Sequence, residues 1–296
     1  MTDAHNATKP EVWHGVRTER LAKGEEDPYL FVRSPGDRQV IFRQILHPAT
    51  GCASYVFGCA GKKKLAVVDA HHEHLADYLA VAESVGSPIV AILETHVQAD
   101  HRSGALELAR ETGAVVHLHQ RADVAFPFTP IGDGDEIPLG NDYIRVIHTP
   151  GHTPESSCFL VGDRTRGEDP WLVLTGDTLL VGDAGRPDLE ENASREAAEA
   201  AARQLHQSLE RLLSLPDHLE VYPGHFSGSA CGRSLSAKPS STIGFERRFN
   251  AALQPRSADD FVDFMLADLP PAPEDHIAIR RANRLGGVAP SPTLAT

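Results

Sequence analysis

The sequence predicts an α/β fold arranged as a four-layer αββα sandwich. Short apolar runs typical of buried strands alternate with stretches of helical spacing, and this alternation occurs in two successive halves of the chain. Several strand-like runs end in a polar turn with glycine beside a His or an Asp. The 296 residues suffice for one large domain. We expect a polar N-terminal arm over residues 1–36 and a folded domain over residues 37–296 that ends in a helical extension.

The first half of the chain contains the apolar runs of one sheet and two helices. Strands are predicted at Val40–Leu46, Ala53–Gly58, Leu65–Asp69, Pro88–Leu93 and Val115–His119. An amphipathic helix is predicted over His72–Ser84, because Leu75 and Leu79 share one face. A second helix begins near Gly104 and ends at Gly113.

The second half repeats this pattern, with a long helix before its last strand. Strands are predicted at Glu136–Leu139, Tyr143–Ile147, Trp171–Leu174 and Leu219–Val221. The long helix is capped by Ser194 or Asn192 and continues through Leu213, because its apolar residues recur three and four positions apart. Arg256–Leu269 is predicted as a further helix, which Pro270 stops.

The polar turns after four of these strands have the composition of a metal site. The residues are His96, Gln98, Asp100 and His101 after the strand at 88–93, His152 after 143–147, Asp177 after 171–174 and His225 after 219–221. The carboxyl ends of strands are where α/β proteins commonly place their chemistry, and His and carboxylate side chains are common metal ligands. The remaining histidines are expected to be ordinary core or surface residues, among them His71, His72, His74, His117 and His119.

These turns resemble the H-x-H-x-D-H signature and the later ligand motifs of the metallo-β-lactamase superfamily, in the superfamily's order. The resemblance implies the αββα fold of that superfamily and two metal positions. The first position would use His96, His152 and Asp177, and the second would use Asp100, His101, Asp177 and His225. The one departure is Gln98, which stands where the superfamily has the second histidine of H-x-H.

Gln98 favours iron over zinc at the first position. A neutral amide oxygen is a weaker ligand for Zn²⁺ than an imidazole. The remaining set of two His and one Asp has the facial-triad composition of non-heme Fe(II) oxygenases. The sequence therefore favours iron-dependent oxygen chemistry over hydrolysis, and a zinc site at the second position stays an alternative.

Two longer segments resemble the persulfide dioxygenase family. Residues 175–189 are similar to its T-G-D…G-R-x-D segment, and residues 222–232 to the P-G-H-G-x-G-S-x-C-G segment of members fused to rhodanese domains. The resemblance implies one Fe(II) per chain, held by His96, His152 and Asp177. It also implies oxidation of a low-molecular-weight thiol persulfide, such as glutathione persulfide, by O₂ to sulfite and the free thiol.

The same resemblance suggests roles for other residues. Asp100 and His101 would act as catalytic groups that orient ligands or bound water. Arg186 is a candidate anchor for a carboxylate on the thiol carrier, with a structural salt bridge to a neighbouring aspartate as the alternative. Cys231 is expected near the substrate sulfur, with a packed thiol as the alternative.

Two other functions compete with this interpretation. A dinuclear metallohydrolase, such as a thioester hydrolase of the glyoxalase II type or a lactonase, would use the same turns with Zn(II) and a metal-bound hydroxide. A non-catalytic binding protein that kept the fold is the third alternative. Metal content and O₂ uptake separate these functions.

Composition restricts the partners and the compartment. The net charge of −13 argues against non-specific nucleic-acid binding. The sequence has neither an apolar run of the ~18 residues that a membrane span needs nor a signal region, so we expect a cytoplasmic protein. Cys52, Cys59 and Cys158 are expected to pack as small hydrophobic side chains. The fused relatives carry rhodanese domains beyond the position of Asn283, so a separate rhodanese sulfurtransferase is a candidate partner, and a homo-oligomer is left open.

Overall fold

The computed structural model describes residues 40–189, 194–226, 236–254, 257–267, 269, 271–272 and 275–286. The predicted N-terminal arm and Cys231 lie outside these residues. Two six-stranded β-sheets form the centre of the described part. Within it, no helix combines the length and the apolar character needed to cross a bilayer.

The first sheet has the strand order β1-β2-β3-β4-β5-β6. Its strands are β1 (Val40–His47), β2 (Cys52–Cys59), β3 (Lys64–Val68), β4 (Ile89–Leu93), β5 (Val115–His119) and β6 (Thr129–Ile131). The first three strands are antiparallel, whereas β3 to β6 run parallel. Parallel neighbours need crossover connections, which here contain α1 (Leu75–Ser84), preceded by a 3-10 helix (His72–His74), and α2 (Ala105–Thr112).

The second sheet has the order β14-β13-β10-β9-β8-β7, and β11 and β12 form a small hairpin beside it. The strands are β7 (Glu136–Leu139), β8 (Asp142–His148), β9 (Ser157–Asp163), β10 (Leu172–Gly176), β11 (Leu179–Leu180), β12 (Asp183–Ala184), β13 (Glu220–Pro223) and β14 (Ser241–Thr242). The helices are α3 (Arg195–Leu213), α4 (Ile243–Phe249), a 3-10 helix (Ala251–Leu253), α5 (Ala258–Leu266) and α6 (His276–Arg284). β10 and β13 are parallel, and α3 forms the crossover between them.

Three apolar clusters separate four layers. The alternation of side chains along a strand puts Tyr55 and Phe57 of β2 into the cluster between the two sheets, and puts Val56 into the cluster under α1 and α2. On the far side, Leu205 of α3 and Phe261 of α5 pack against the second sheet. The layer order is therefore helix, sheet, sheet, helix, and the predicted αββα sandwich is confirmed.

The helix boundaries follow local capping chemistry. The predicted Ser194 cap of α3 is confirmed, because its hydroxyl accepts a hydrogen bond from the Ala197 N–H (3.2 Å). The predicted helix at 256–269 is shorter in the structure, since Ser257 caps α5 and Ala267 leaves helical geometry. The helix predicted from His72 begins as a 3-10 turn, and α1 itself begins at Leu75.

Backbone hydrogen bonds join the strand-end turns into one cluster. The Gly224 N–H donates to the Gly176 carbonyl (2.8 Å), and the Ala53 N–H donates to the Gly224 carbonyl (2.8 Å). Gly176 has a left-handed φ of 49°, and a Cβ there would lie 2.5 Å from the Thr95 hydroxyl oxygen. Glycine at 176 is therefore required for the close approach of the turns after β4 and β10.

Candidate metal centre

His96, His152 and Asp177 converge at the edge where the strands end. Each offers one ligand atom, and these atoms all lie within 4.8 Å of one another. All three side chains are buried, and the two imidazole rings are nearly perpendicular, with centroids 5.0 Å apart. The structure thus brings together the three residues that the sequence assigned to the first metal position.

Hydrogen bonds fix the orientation of both imidazoles. The Thr95 hydroxyl donates to the Asp69 carboxylate at 2.9–3.0 Å, so it accepts from His96 Nδ1–H at 3.0 Å. His152 Nδ1–H donates to the Arg186 carbonyl at 2.9 Å. Both residues therefore present an Nε2 lone pair, which is the arrangement expected of metal-bound histidine. Burial also lowers the pKa of His96 to about 3, which keeps its lone pair available.

Asp177 completes the set with an unsatisfied oxygen. Its Oδ1 accepts from His225 Nδ1 at 2.6 Å, whereas its Oδ2 is buried without a hydrogen-bond partner and lies 3.7 Å from His152 Nε2. Burial raises the pKa of Asp177, but His225 outweighs burial and holds it well below the usual range. Asp177 is thus an ionised carboxylate with one free oxygen, and it faces the lone pairs of two imidazoles. This arrangement is suited to binding a cation.

The residues of the second position lie beside this set. His225 Nε2 contacts Asp100 Oδ2, and His101 Nδ1 donates to Asp100 Oδ1 at 3.0 Å. Burial lowers the pKa of His225, but Asp100 and Asp177 together hold it well above its usual value. His225 thus bridges two carboxylates as a doubly protonated ring. His101 Nε2 is buried and has no partner among the described residues.

Cys52 also belongs to this site, which corrects the expectation that it packs as a small hydrophobic residue. Its Sγ lies 3.3 Å from His225 Nε2 and 3.6 Å from both Asp100 Oδ2 and His101 Nδ1. Burial raises the pKa of the Cys52 thiol, but the charge on His225 outweighs burial and brings it below its usual value. Cys52, Asp100 and His101 form a second group with metal-ligand geometry. In the sequence, the one feature that could have marked Cys52 as a site residue is its position directly after the Thr50-Gly51 turn.

Gln98 forms a hydrogen bond with Asp69. Asp69, like Cys52, is a site residue that was not predicted from the sequence. The buried Gln98 donates from Nε2 to Asp69 Oδ1 at 3.2 Å, and Asp69 also accepts from the Thr95 N–H at 2.7 Å. Burial raises the pKa of Asp69 to about 6. Asp69 directly follows β3, so the rule that found the other strand-end residues could have found it too.

The predicted substrate residues have different outcomes. Arg186 is buried, and its guanidinium forms two bonds with the Asp188 carboxylate, at 2.7 and 2.8 Å. The structure therefore contains the salt bridge that was the alternative for Arg186, while its role as a carboxylate anchor stays a prediction. Cys231 lies outside the described residues.

Comparison with known proteins places these features in a family context. The family model described as the metallo-beta-lactamase superfamily matches residues 47–225. A persulfide dioxygenase of Mus musculus, mitochondrial ETHE1, is 25% identical over 88% of this chain and 94% of its own length. A probable metallo-hydrolase of Burkholderia pseudomallei is 30% identical over 73% of this chain and 81% of its own length.

Solved structures agree with this likeness. A metallo-beta-lactamase from Staphylococcus aureus superposes with a TM-score of 0.80 at 33% identity, covering 86% of this chain and 76% of that one. ETHE1 from Myxococcus xanthus superposes with a TM-score of 0.72 at 29% identity, covering 84% of this chain and 100% of that one.

Proposed function

This chain belongs to the metallo-β-lactamase superfamily, and we propose that it is an Fe(II)-dependent persulfide dioxygenase. Its substrate would be a low-molecular-weight thiol persulfide such as glutathione persulfide. The observation that carries the proposal is the ligand set. His96, His152 and Asp177 converge, while the amide nitrogen of Gln98, at the position of the missing third imidazole, donates to Asp69.

The similar proteins support this choice among the activities of the superfamily. A persulfide dioxygenase matches most of this chain, and the structure of a second ETHE1 superposes on it. Both likenesses extend beyond the metal motifs.

The reaction needs one more oxygen atom than O₂ provides. One persulfide, one O₂ and one water give one thiol, one sulfite ion and two protons. A bound Fe(II) would supply the redox chemistry that lets O₂ react with the terminal sulfur. His96, His152 and Asp177 would hold that ion and leave coordination positions for substrates.

The surrounding residues prepare the site. Thr95 and the Arg186 carbonyl fix the two imidazoles, so their lone pairs point inward without rearrangement. His225 holds a proton at Nδ1 against Asp177 Oδ1, which leaves Oδ2 available to the ion. Asp100 and His101 lie next to this set and would orient the water that the reaction consumes.

Metal content and oxygen uptake test the proposal. Protein purified without oxygen should contain about one iron per chain and should consume O₂ when glutathione persulfide is added, with sulfite as product. His152→Ala should lose both iron and O₂ uptake, because it removes one of only three protein ligands. His206→Ala, on α3 away from the centre, is the matched control and should keep both. Two zinc ions per chain, with activity that survives iron chelation, would reject the proposal.

A dinuclear metallohydrolase is the second candidate, and the second position favours it. Asp100 contacts both His101 and His225, and His225 contacts Asp177, so the residues of the second position adjoin the first. A second ion there would require His225 to release its Nε2 proton. The Burkholderia relative is also named as a probable metallo-hydrolase. Hydrolysis of a glutathione thioester by the zinc-loaded protein, without O₂ uptake, would favour this candidate.

A further inference from the structure

A group of histidines lies at the start of the 3-10 helix after β3, outside the centre described above. His71, Glu73 and His74 each offer one ligand atom, and these atoms all lie within 4.8 Å of one another. The ring of His47, from the end of β1, lies 3.9 Å from the His74 ring and 5.0 Å from the His71 ring. We call these four residues the His71 cluster.

The hydrogen-bond network fixes the tautomer of His47. The Ser54 hydroxyl donates to the Asp69 carbonyl at 2.7 Å and accepts from the Tyr78 hydroxyl at 2.9 Å. Its hydrogen is therefore used, so His47 Nε2 must be the donor in the 2.9 Å bond to Ser54. The lone pair of His47 lies on Nδ1, which is buried without a partner in the described structure.

His74 and His71 differ in which ring nitrogen carries the proton. His74 Nδ1 donates to the Asp77 carboxylate at 2.8 Å, which leaves a lone pair on Nε2 and repeats the carboxylate–histidine pattern of metal sites. His71 Nδ1 accepts from the Glu73 N–H at 3.2 Å, so the ring proton lies on Nε2, which is buried with no partner among the described residues. An ion bound at this Nε2 would displace that proton. The cluster thus contains two buried ring nitrogens whose hydrogen bonding is incomplete.

The buried His47 ring stays uncharged, which suits a neighbouring cation. Burial is the main cause that lowers the pKa of His47 to about 3, and the neighbouring histidines lower it further. Uncharged imidazoles do not repel an incoming cation, and the Glu73 carboxylate adds a negative charge at the exposed side.

We propose that His71, Glu73 and His74, with the His47 ring packed against both histidines, form an additional metal site for a divalent transition ion such as Zn²⁺. This site is distinct from both metal positions defined above. Two imidazoles and one carboxylate suit zinc and similar ions, whereas Ca²⁺ and Mg²⁺ prefer sites made of oxygen ligands. The site is separate from the His96–His152–Asp177 centre. The His71 ring stacks on the His101 ring at 4.6 Å, so an ion here would fix the residue against which His101 packs.

Zinc binding to the chelated protein, measured by equilibrium dialysis and metal analysis, tests this proposal. Glu73 is exposed and His74 is half-buried, so Glu73→Ala and His74→Ala should fold, and each should lose one zinc ion per chain relative to the wild type. His72→Ala is the matched control, because His72 lies in the same 3-10 helix but pairs with Glu107 at 2.5 Å. It should keep the full zinc content.

The Asp177→Ala background separates this site from the proposed catalytic centre. There the remaining zinc should show imidazole ligands in its X-ray absorption spectrum, and a further His74→Ala change should remove it. Equal zinc content in the wild type, Glu73→Ala and His74→Ala would overturn the additional site and leave the catalytic proposal intact. Retention of the catalytic metal in Asp177→Ala would reject that proposal alone.

Discussion

Gln98 is the residue on which our proposal of iron rather than zinc depends. Its amide nitrogen donates to Asp69 at 3.2 Å, and Asp69 also holds Thr95, the hydroxyl partner of His96. Gln98 therefore acts on the orientation of a ligand, through Asp69, at the position that the H-x-H-x-D-H signature gives to a histidine. This explains how the site can lack that imidazole and still hold His96 in place.

We predict that Gln98→Ala keeps nearly full iron content, because His96, His152 and Asp177 remain. Gln98→His should raise the zinc-to-iron ratio of the purified protein, because imidazole is a better zinc ligand than an amide. Metal analysis after growth in medium with both metals measures this ratio. Gln44→Ala, which removes another partly buried amide, is the control. Complete loss of iron in Gln98→Ala would show that the amide coordinates the ion.

Asp142 offers a test of pH dependence away from the metal centre. The residue is fully buried opposite Asp163, and both of its carboxylate oxygens lack partners among the described residues. Burial, with a contribution from Asp163, raises its pKa from 3.8 to about 7. The unfolded chain therefore loses this proton at lower pH than the folded chain does. The free energy of unfolding should fall as pH rises from about 4 to about 7.

Asp142→Asn should remove this loss of stability. We expect the variant to be more stable than the wild type by about 4 kcal/mol at pH 8, and the two proteins to converge near pH 4. Urea unfolding across this pH range measures the difference. The exposed Asp169→Asn makes the same change of charge and should follow the wild-type profile. Parallel profiles for Asp142→Asn and the wild type would contradict the buried-acid argument.

At the scale of elements, α6 holds the loop that carries His96, Asp100 and His101. Asn283 is buried, and its side-chain amide donates to the carbonyls of Gln98 (2.9 Å) and His101 (2.8 Å), while its oxygen accepts from the Ser103 N–H (3.0 Å). A single side chain thus fixes the backbone on both sides of Asp100. Helix α6 therefore supports the loop after β4, although α6 itself supplies no ligand.

Asn283→Ala should weaken iron binding and lower stability by about 2–3 kcal/mol, because three buried hydrogen bonds are lost. Asn250 provides a matched control. It is equally buried, and its amide donates to the Leu180 and Asp183 carbonyls, while its oxygen accepts from the Ala252 N–H. Asn250→Ala should lose similar stability and keep its iron affinity. Equal iron affinity in both variants would show that α6 contributes stability alone.

The sequence predicts those elements whose signal is local. An apolar run followed by glycine and a His or Asp identified the turns after β4, β8, β10 and β13, and Ser194 identified the start of α3. The role of Cys52 was missed, because it depends on a contact with His225, 173 positions away. The hydrogen bonds from Asn283 to the loop after β4 were missed for the same reason, since Asn283 lies 185 positions from Gln98.

At the scale of the whole molecule, the metal centre lies where the two sheets meet. His96 follows β4 of the first sheet, whereas His152 and Asp177 follow β8 and β10 of the second. The Ser157 N–H, in the second sheet, also donates to the Thr95 carbonyl at 2.8 Å. A bound ion would therefore join the two sheets by ligand bonds in addition to the apolar cluster between them.

Removal of the metal should consequently lower the stability of the whole domain. An ion that binds only the folded state, at about 100 times its dissociation constant, stabilises that state by about 2.7 kcal/mol. For a chain of this size we expect a fall in Tm of roughly 5–10 °C on chelation. Calorimetry of the anaerobic protein, with iron and after chelation, measures the shift. Chelation should not change the Tm of Asp177→Ala. This variant lacks the carboxylate whose unpartnered Oδ2 faces the centre, and so lacks a ligand that follows the second sheet. Equal melting temperatures for the loaded and the chelated wild type would mean that the ion does not bridge the sheets.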